Sequence, residues 1–463
     1  MLKIRYNTFM QKIDIAGLKI DALSKIELIS QLEERIRNNQ RTLIFTPYSE
    51  FLFHALRDRS VLELLNSADF CLPDGIGIFW AKRFVDIPLT QKKYWLKILE
   101  ALWQAFYTLL AIAFNPGFIR GALPEKISGS DFVWDLARLA GNKNQSIFLF
   151  GGRGDTAKIA AEEIKLKVPS VKVAGWSNKN FKDPSLINDI QNANPDFLFV
   201  ALDPIKQEKW LKDNFSNLPC KLAIGLGGTF DYIAKKRPNP PKIWRNAGFE
   251  WLWRLITQPR RFIRIKNATF GLIWALIKFK VFKSLPFRAN AVSVVINNKN
   301  EIFVARFNPE KKVVKALGRQ TSSFQDYWQL PQGGVKEGEE FTIGAKRELR
   351  EETNIGSINI LKISEKKYQY EWETGIRPLF VSKRYLFKGQ QQRIVYFKFF
   401  GDDSEIKLDN DELLEWKWVP LDKLMETLHT DKQNLAKIVI ADLKEMAEKG
   451  ILNIDKIDTI DQN

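Results

Sequence analysis

DFLFVALDPIKQEKW, residues 196–210, decides the reading of the first half of the chain. Residues 196–202 form an apolar run of strand length, a proline-bearing polar turn follows, and a helical pattern covers 204–214. The same succession recurs. Buried-strand runs stand at 42–46 (TLIFT), 146–150 (SIFLF), 171–174 (VKVA) and 221–226 (KLAIGL), and helical patterns at 50–66, 155–166 and 184–192. Apolar strands alternating with helices predict an α/β fold, a parallel sheet covered on both faces.

In such a sheet ligands bind beyond the carboxyl ends of the strands. The loops there are Thr46–Glu50, Leu72–Gly77, Gly151–Asp155, Ala201–Lys209 and Gly225–Asp231. Glycine between a strand and a helix lets backbone N–H groups approach a phosphate. The chain has 463 residues, enough for two or three domains, and a net charge of +17. That excess points to an anionic partner: nucleic acid, phospholipid headgroups or a phosphorylated substrate. Cys71 and Cys220 are the only cysteines, which excludes a disulfide framework and a zinc cluster and fits a reducing compartment. His54 and His429 are the only histidines, so a Ser-His-Asp triad and a His-rich metal site are excluded. Chemistry must rest on carboxylates, hydroxyls, amides and cations. The first residues carry charges throughout and show no secretory apolar core. The apolar stretch 94–114, YWLKILEALWQAFYTLLAIAF, is interrupted by Lys97, Glu100 and Gln104. It reads as a helix lying in a membrane interface or covering a core, not as a span.

Several motifs together resemble the WecG/TagA/CpsF glycosyltransferase family: PDGIGIFWAKR (73–83), KISGSD (126–131), LFGGRGDTAKIAAEEI (149–164), the stretch quoted first, GLGGTFDYIAKKRPNPP (225–241) and GFEWLWRLITQPRRFIR (248–264). The match is collinear from about residue 12 to residue 266. The resemblance implies a Rossmann-like domain over 1–241. It implies transfer of an N-acetylmannosamine-type sugar from a UDP-sugar donor to a polyprenyl-diphosphate-linked N-acetylglucosamine, with inversion and with no cofactor required. Carried onto this chain, Asp74 is the general base, with Thr46 beside it. Gln207 binds sugar or nucleotide, and Gly151, Gly152, Gly227 and Gly228 hold the UDP part. Three features depart from the family. Tyr48 replaces the usual asparagine, Lys126 replaces the usual arginine of a substrate-binding element, and 94–114 extends the chain.

Residues 242–285 read as a basic, aromatic appendage and linker; 242–288 carries roughly ten net positive charges. Arg254, Arg261 and Arg264 are spaced by seven and three, near one face of a helix. The resemblance implies that they close over the active site and hold the diphosphate. Lys278, Lys280 and Lys283 read as contacts to an anionic membrane surface. Such a protein is expected in the cytoplasm, peripheral on the inner face of the cell membrane, with self-association left open.

The third part, 286–455, opens with a hairpin pattern (291–296 and 302–306). It continues with YWQLPQGGVKEGEEFTIGAKRELREETNI, residues 327–355, which holds the Nudix box. Gly333, Glu339, Arg347, Glu348, Leu349, Glu351, Glu352 and Ile355 take its fixed positions, and Asn354 replaces the late glycine. Glu348, Glu351 and Glu352 share one helical face, suited to magnesium or manganese, and Glu348 and Glu352 are the expected catalytic acids. The resemblance implies an α/β/α Nudix fold with a mixed sheet. Within the Nudix hydrolases it extends to the RNA pyrophosphohydrolase and dinucleoside-polyphosphate hydrolase branch, through which Glu412 becomes a further metal ligand. A nucleoside di- or polyphosphate, or an RNA 5′ end, is then the expected substrate. The leading expectation is a bifunctional enzyme. The alternative is an RNA 5′-pyrophosphohydrolase whose first domain is a non-catalytic membrane or RNA platform.

Overall fold

The computed structural model describes residues 12–237, 241, 244, 250–257, 262–308, 326–372 and 387–452. The chain divides after Ser284 into two compact units.

The N-terminal unit opens with a hairpin, β1 (Lys12–Ile15) and β2 (Leu18–Asp21). Helix α1 (Lys25–Arg37) is started by a capping box between Ser24 and Glu27. The sheet strands are β3 (Thr42–Phe45), β4 (Phe70–Cys71), β5 (Ser146–Gly151), β6 (Lys172–Ser177), β7 (Phe197–Ala201) and β8 (Leu222–Gly225). They lie in the order β4-β3-β8-β7-β5-β6, each described pair parallel. Around them run α2 (Ser49–Ala55), α3 (Arg59–Asn66), α4 (Ile76–Asp86), α5 (Tyr94–Phe114), α6 (Pro116–Arg120), α7 (Gly129–Asn142), α8 (Thr156–Lys167), α9 (Ser185–Ala193), α10 (Lys206–Asn214) and α11 (Thr229–Ile233).

Strand alternation builds two cores. Phe148, Phe150, Leu198 and Val200 pack on one face of the sheet, and Ile147, Leu149, Phe197 and Phe199 on the other. The helical pattern at 50–66 is two helices, because Asp58 accepts from the Ser60 N–H and caps α3 as a new start. Cys71 and Cys220 are buried and unpaired.

Beyond the sheet come α12 (Glu250–Thr257), α13 (Phe262–Lys266), a π-helical turn at Asn267–Gly271 and α14 (Leu272–Lys283). A Cβ on Gly271 would stand 2.8 Å from the Phe53 ring, so glycine lets this turn lie against α2. Lys280, expected at a membrane surface, is instead buried, with its ammonium on the Phe84 carbonyl and over the Phe84 ring. Burial pulls that ammonium down to about 8.

The C-terminal unit contains β9 (Phe287–Ile296), β10 (Ile302–Phe307), β11 (Trp328–Gln329), β12 (Gln332–Gly334), α15 (Phe341–Thr353), β13 (Ile358–Glu371), β14 (Gly389–Phe399), β15 (Leu413–Val419), α16 (Leu424–Thr427) and α17 (Gln433–Glu448). The sheet is mixed: β9 and β14 run parallel and the other described pairs antiparallel. Val292, Val294 and Ile296 of β9 pack with Leu435, Val439 and Leu443 of α17. Ala291 and Val295 face Ala345 and Leu349 of α15. A two-residue period thus places one helix on each face, an α/β/α sandwich.

Candidate functional site

Parallel strands in the first unit bring the loops after β3, β4, β5, β7 and β8 to one edge. Thr46 is buried and donates to the Gly225 carbonyl at 3.2 Å. The Asp74 N–H donates to the Pro47 carbonyl at 3.1 Å, and the Ile127 N–H to the Pro73 carbonyl at 3.1 Å. A Cβ on Gly129 would meet Thr46 Oγ1 and the Leu226 side chain, each at 3.4 Å. Thr46, Asp74, the 126–129 segment and the 225–229 turn therefore share one neighbourhood. Asp74 is partly exposed and precedes α4, whose N-cap Gly75 has φ 88°. Lys126 is exposed.

Gln207 sits below the 225–229 turn. Its Oε1 accepts from the Gly227 N–H at 2.8 Å, and its Nε2 donates to Glu208 Oε1 at 2.6 Å. Both ends of the amide are taken by the protein, so in this arrangement it braces the turn. Glu208, absent from the sequence expectations, also accepts from the Ile205 N–H at 2.7 Å. Ile205 is a β-branched residue held at φ 69°, an unfavourable conformation. Burial pushes the Glu208 carboxyl up to about 7. A glutamate beside glutamine in a helix's first turn reads as ordinary capping, so only its burial singles it out.

Gly151 and Gly152 are required by close approach. A Cβ on Gly151, at φ 106°, would fall 2.3 Å from the Ala201 carbonyl oxygen, and the Gly152 N–H donates to that oxygen at 2.9 Å.

Arg264 reaches back to the β3 loop. Its Nε bonds Glu50 Oε1 at 3.0 Å, and its Nη2 bonds Glu50 Oε2 and the Tyr48 hydroxyl, each at 3.0 Å. The Tyr48 hydroxyl donates to Glu50 Oε2 at 2.6 Å. Burial, followed by the Glu50 charge, raises the Tyr48 phenol. A Cβ on Gly75 would lie 3.9 Å from Tyr48 Cβ, so this cluster borders the Asp74 loop. The Arg254 side chain and Arg261 lie outside the described residues. Glu50 was not anticipated; its signal is an acid inside the apolar run SEFLFHA, and it is 7 % exposed.

In the second unit α15 carries the acids. Arg347 binds Glu339 through two bonds of 2.8 Å, Glu348 at 2.7 Å, Glu351 at 3.3 Å and the Gly334 carbonyl at 2.9 Å. Its guanidinium holds the Glu339 carboxyl down to about 2. Glu348 lies directly over Gly333, where a Cβ would be 1.9 Å from Oε2. Glu352 is buried and accepts from the Gln332 N–H at 3.2 Å. Burial first, then the neighbouring Glu412 carboxylate, raises its carboxyl well above the usual range. Asn354 ends α15 at φ 60°, the left-handed conformation for which asparagine serves in place of glycine.

Two stretches, 13–115 and 109–285, match the family described as Glycosyl transferase WecG/TagA/CpsF family. The chain belongs to that family. Residues 287–442 match the NUDIX domain, so a Nudix hydrolase domain follows the transferase portion. An N-acetylglucosaminyldiphosphoundecaprenol N-acetyl-beta-D-mannosaminyltransferase of Bacillus subtilis strain 168 is 31 % identical over 224 residues, 48 % of this chain and 74 % of that protein. The enzyme of the same name from Staphylococcus aureus strain MRSA252 is 21 % identical, over 55 % of this chain and 89 % of that protein. Among solved structures, a MutT protein from Methanosarcina mazei Go1 is similar at 20 % identity and a TM-score of 0.24, covering 35 % of this chain and 97 % of that one. A C. elegans Ap4A hydrolase complex is similar at 19 % identity and a TM-score of 0.24, covering 34 % and 98 %.

Nudix domains work with divalent cations, and the carboxylate oxygens of α15 are hard donors suited to one. The crowding of Glu352 against Glu412 is what a cation would relieve. Yet among the described residues no three acids converge as a ready metal cluster. Glu348 and Glu351 are turned onto Arg347, so of the four expected ligands the structure brings together Glu352 and Glu412 and holds the other two on the arginine.

Proposed function

We propose that the chain is a bifunctional enzyme whose N-terminal unit transfers an N-acetylmannosamine-type sugar from a UDP-sugar to a polyprenyl-diphosphate-linked N-acetylglucosamine. The carrying observation is the gathering of Thr46, Asp74, the Lys126–Gly129 segment and the Gly225–Thr229 turn at one strand edge, in a chain related to mannosaminyltransferases. In the proposed step the acceptor hydroxyl oxygen attacks the anomeric carbon. The bond from that carbon to UDP breaks, UDP leaves with the electron pair, and Asp74 takes the hydroxyl proton. Gln207 and Glu208 keep the glycine turn in shape for the diphosphate, and Arg264 closes the β3 loop from the other side. Lys126, Arg254 and Arg261 would add cations there.

The C-terminal unit would hydrolyse a nucleoside-diphosphate-linked substrate. Magnesium or manganese bound by Glu348, Glu351, Glu352 and Glu412 would polarise the diphosphate and its attacking water. Arg347 holds Glu339, Glu348 and Glu351, two of which would turn from it to the cation, and the Gln332 N–H fixes Glu352. The test is to incubate the full chain with UDP-N-acetylmannosamine and the lipid-linked acceptor and follow UDP release. Release that depends on acceptor is expected; release equal in Asp74→Asn would overturn the transferase assignment.

A further inference from the structure

Helix α5 is turned inside out relative to a helix of a water-soluble surface. Its polar side chains face the protein. Lys97 is buried with its ammonium 2.7 Å from the Ser284 carbonyl oxygen, and Gln104 Nε2 donates to the Pro88 carbonyl at 3.0 Å. Thr108, fully buried, accepts from the Trp80 indole N–H at 2.9 Å. Glu100, the sole carboxylate of α5, accepts from the backbone N–H groups of Thr90 and Gln91 and from the Thr90 hydroxyl.

The large apolar side chains face out. Trp95, Leu99, Leu102, Trp103, Phe106, Leu110 and Phe114 are all exposed, Trp103 to 62 % and Phe114 to 84 %. Their spacings of one, three and four confine them to about a third of the helix circumference. The stripe contains no charge. Lys92 and Lys93 are exposed just before the helix and Arg120 is exposed after it. On α14, which packs against α5, Trp274 is exposed and Lys278 stacks over it.

We propose that this stripe is a docking surface for an anionic phospholipid bilayer, with α5 lying in the plane of the interface. An apolar band carrying tryptophans and bordered by cations is complementary to acyl chains beneath anionic headgroups. The same cations disfavour a second copy, because two such stripes face to face would oppose like charges. Spanning is disfavoured too, since Lys97 is committed to α14's end, Gln104 to the loop before α5 and Thr108 to α4. The Trp80–Thr108 bond ties α5 to α4, which begins just after Asp74, so docking brings the packed unit that carries Asp74 to the lipid surface. That placement of the acceptor site rests on the transferase reading; the docking surface stands on the geometry of α5 itself.

Flotation of the full chain with phosphatidylcholine vesicles, with and without phosphatidylglycerol, tests this. The chain is expected to float with the anionic vesicles, and the double substitution Trp103→Glu with Phe106→Glu to lower partitioning by roughly tenfold or more. Ile26→Glu, at a still more exposed apolar residue of α1, should leave flotation unchanged. Turnover on a water-soluble short-chain acceptor should be the same in wild type and in the double variant. Equal flotation of wild type and double variant overturns the proposal. So does a lipid-independent dimer that the two substitutions dissociate, which would make a second copy the occupant. If flotation behaves as expected while wild type never turns over the soluble acceptor, the transferase reading fails and the docking surface stands.

Discussion

In the C-terminal unit Glu348, Glu351 and Glu352 come from one helix; a single arginine from that helix holds the first two, and the Gln332 N–H holds the third. In the N-terminal unit Thr46, Asp74, Gln207 and Arg264 arrive from separate loops and helices spread between residues 46 and 264. One site is written locally and the other is assembled by topology. The local site carries its own charge balance within a few turns. The assembled site depends on close backbone approach, on buried braces such as Glu208, and on the return of Arg264 to Glu50.

The sharpest way to break this comparison is to remove one acid from each unit. Asp74→Asn is expected to lower sugar transfer by about a thousandfold and leave diphosphate hydrolysis intact. Glu352→Gln should do the reverse, read by release of the nucleoside monophosphate with added magnesium. Loss of both activities from either substitution would mean that the two sites do not work independently.

Next comes the arginine in each unit. Arg347→Ala frees Glu339, Glu348 and Glu351 together, and hydrolysis should fall by about a hundredfold. Arg347→Lys should recover little, because lysine cannot reproduce the two-bond fork on Glu339. Arg264→Ala leaves the buried Glu50, among the described side chains, with only the Tyr48 hydroxyl, and transfer should fall by about tenfold. Steady-state rates at saturating substrates measure both.

A smaller effect separates a brace from a reacting group. The folded state raises the Glu208 carboxyl from 4.5 to about 7, so the protonated form is the one the fold favours. Its contribution to stability is present below 4.5 and is lost as pH rises through about 7. Glu208→Gln should therefore flatten the fall in melting temperature across that window; an unchanged slope would refute the role. Least of all, Asn354→Gly should shift stability by under about 1 kcal/mol, since both residues accept the left-handed cap, as calorimetry on the full chain can verify.

The same contrast explains what the sequence made legible. The box from Gly333 to Ile355 could be read residue by residue, because its chemistry repeats at helical spacing. Strands β3, β5, β7 and β8 were legible as apolar runs, within a residue or two at their ends. The neighbours of Asp74 came through resemblance, not spacing, because pairs such as Thr46 with Gly225 meet only in the folded sheet. The Tyr48–Glu50–Arg264 cluster was missed for the same reason, and so was the engagement of Gln207 by its own chain. Lys97, Glu100 and Gln104 interrupt the apolar stretch 94–114 as expected, but the face to which each turned could not be read before α4 and α14 were in place. Lys280 was misread as a surface cation because its position on α14 says nothing about the Phe84 carbonyl it meets.

The close approach at Gly151 bears on how the transferase edge can change over evolutionary time. Where a Cβ would strike the Ala201 carbonyl, nearly every point substitution is rejected by geometry before it can be tried as a new contact. That part of the rim offers peptide groups to whatever lies against it, and peptide groups do not drift. New preferences for donor or acceptor must then arise in the side chains around it, at positions such as Tyr48 and Lys126.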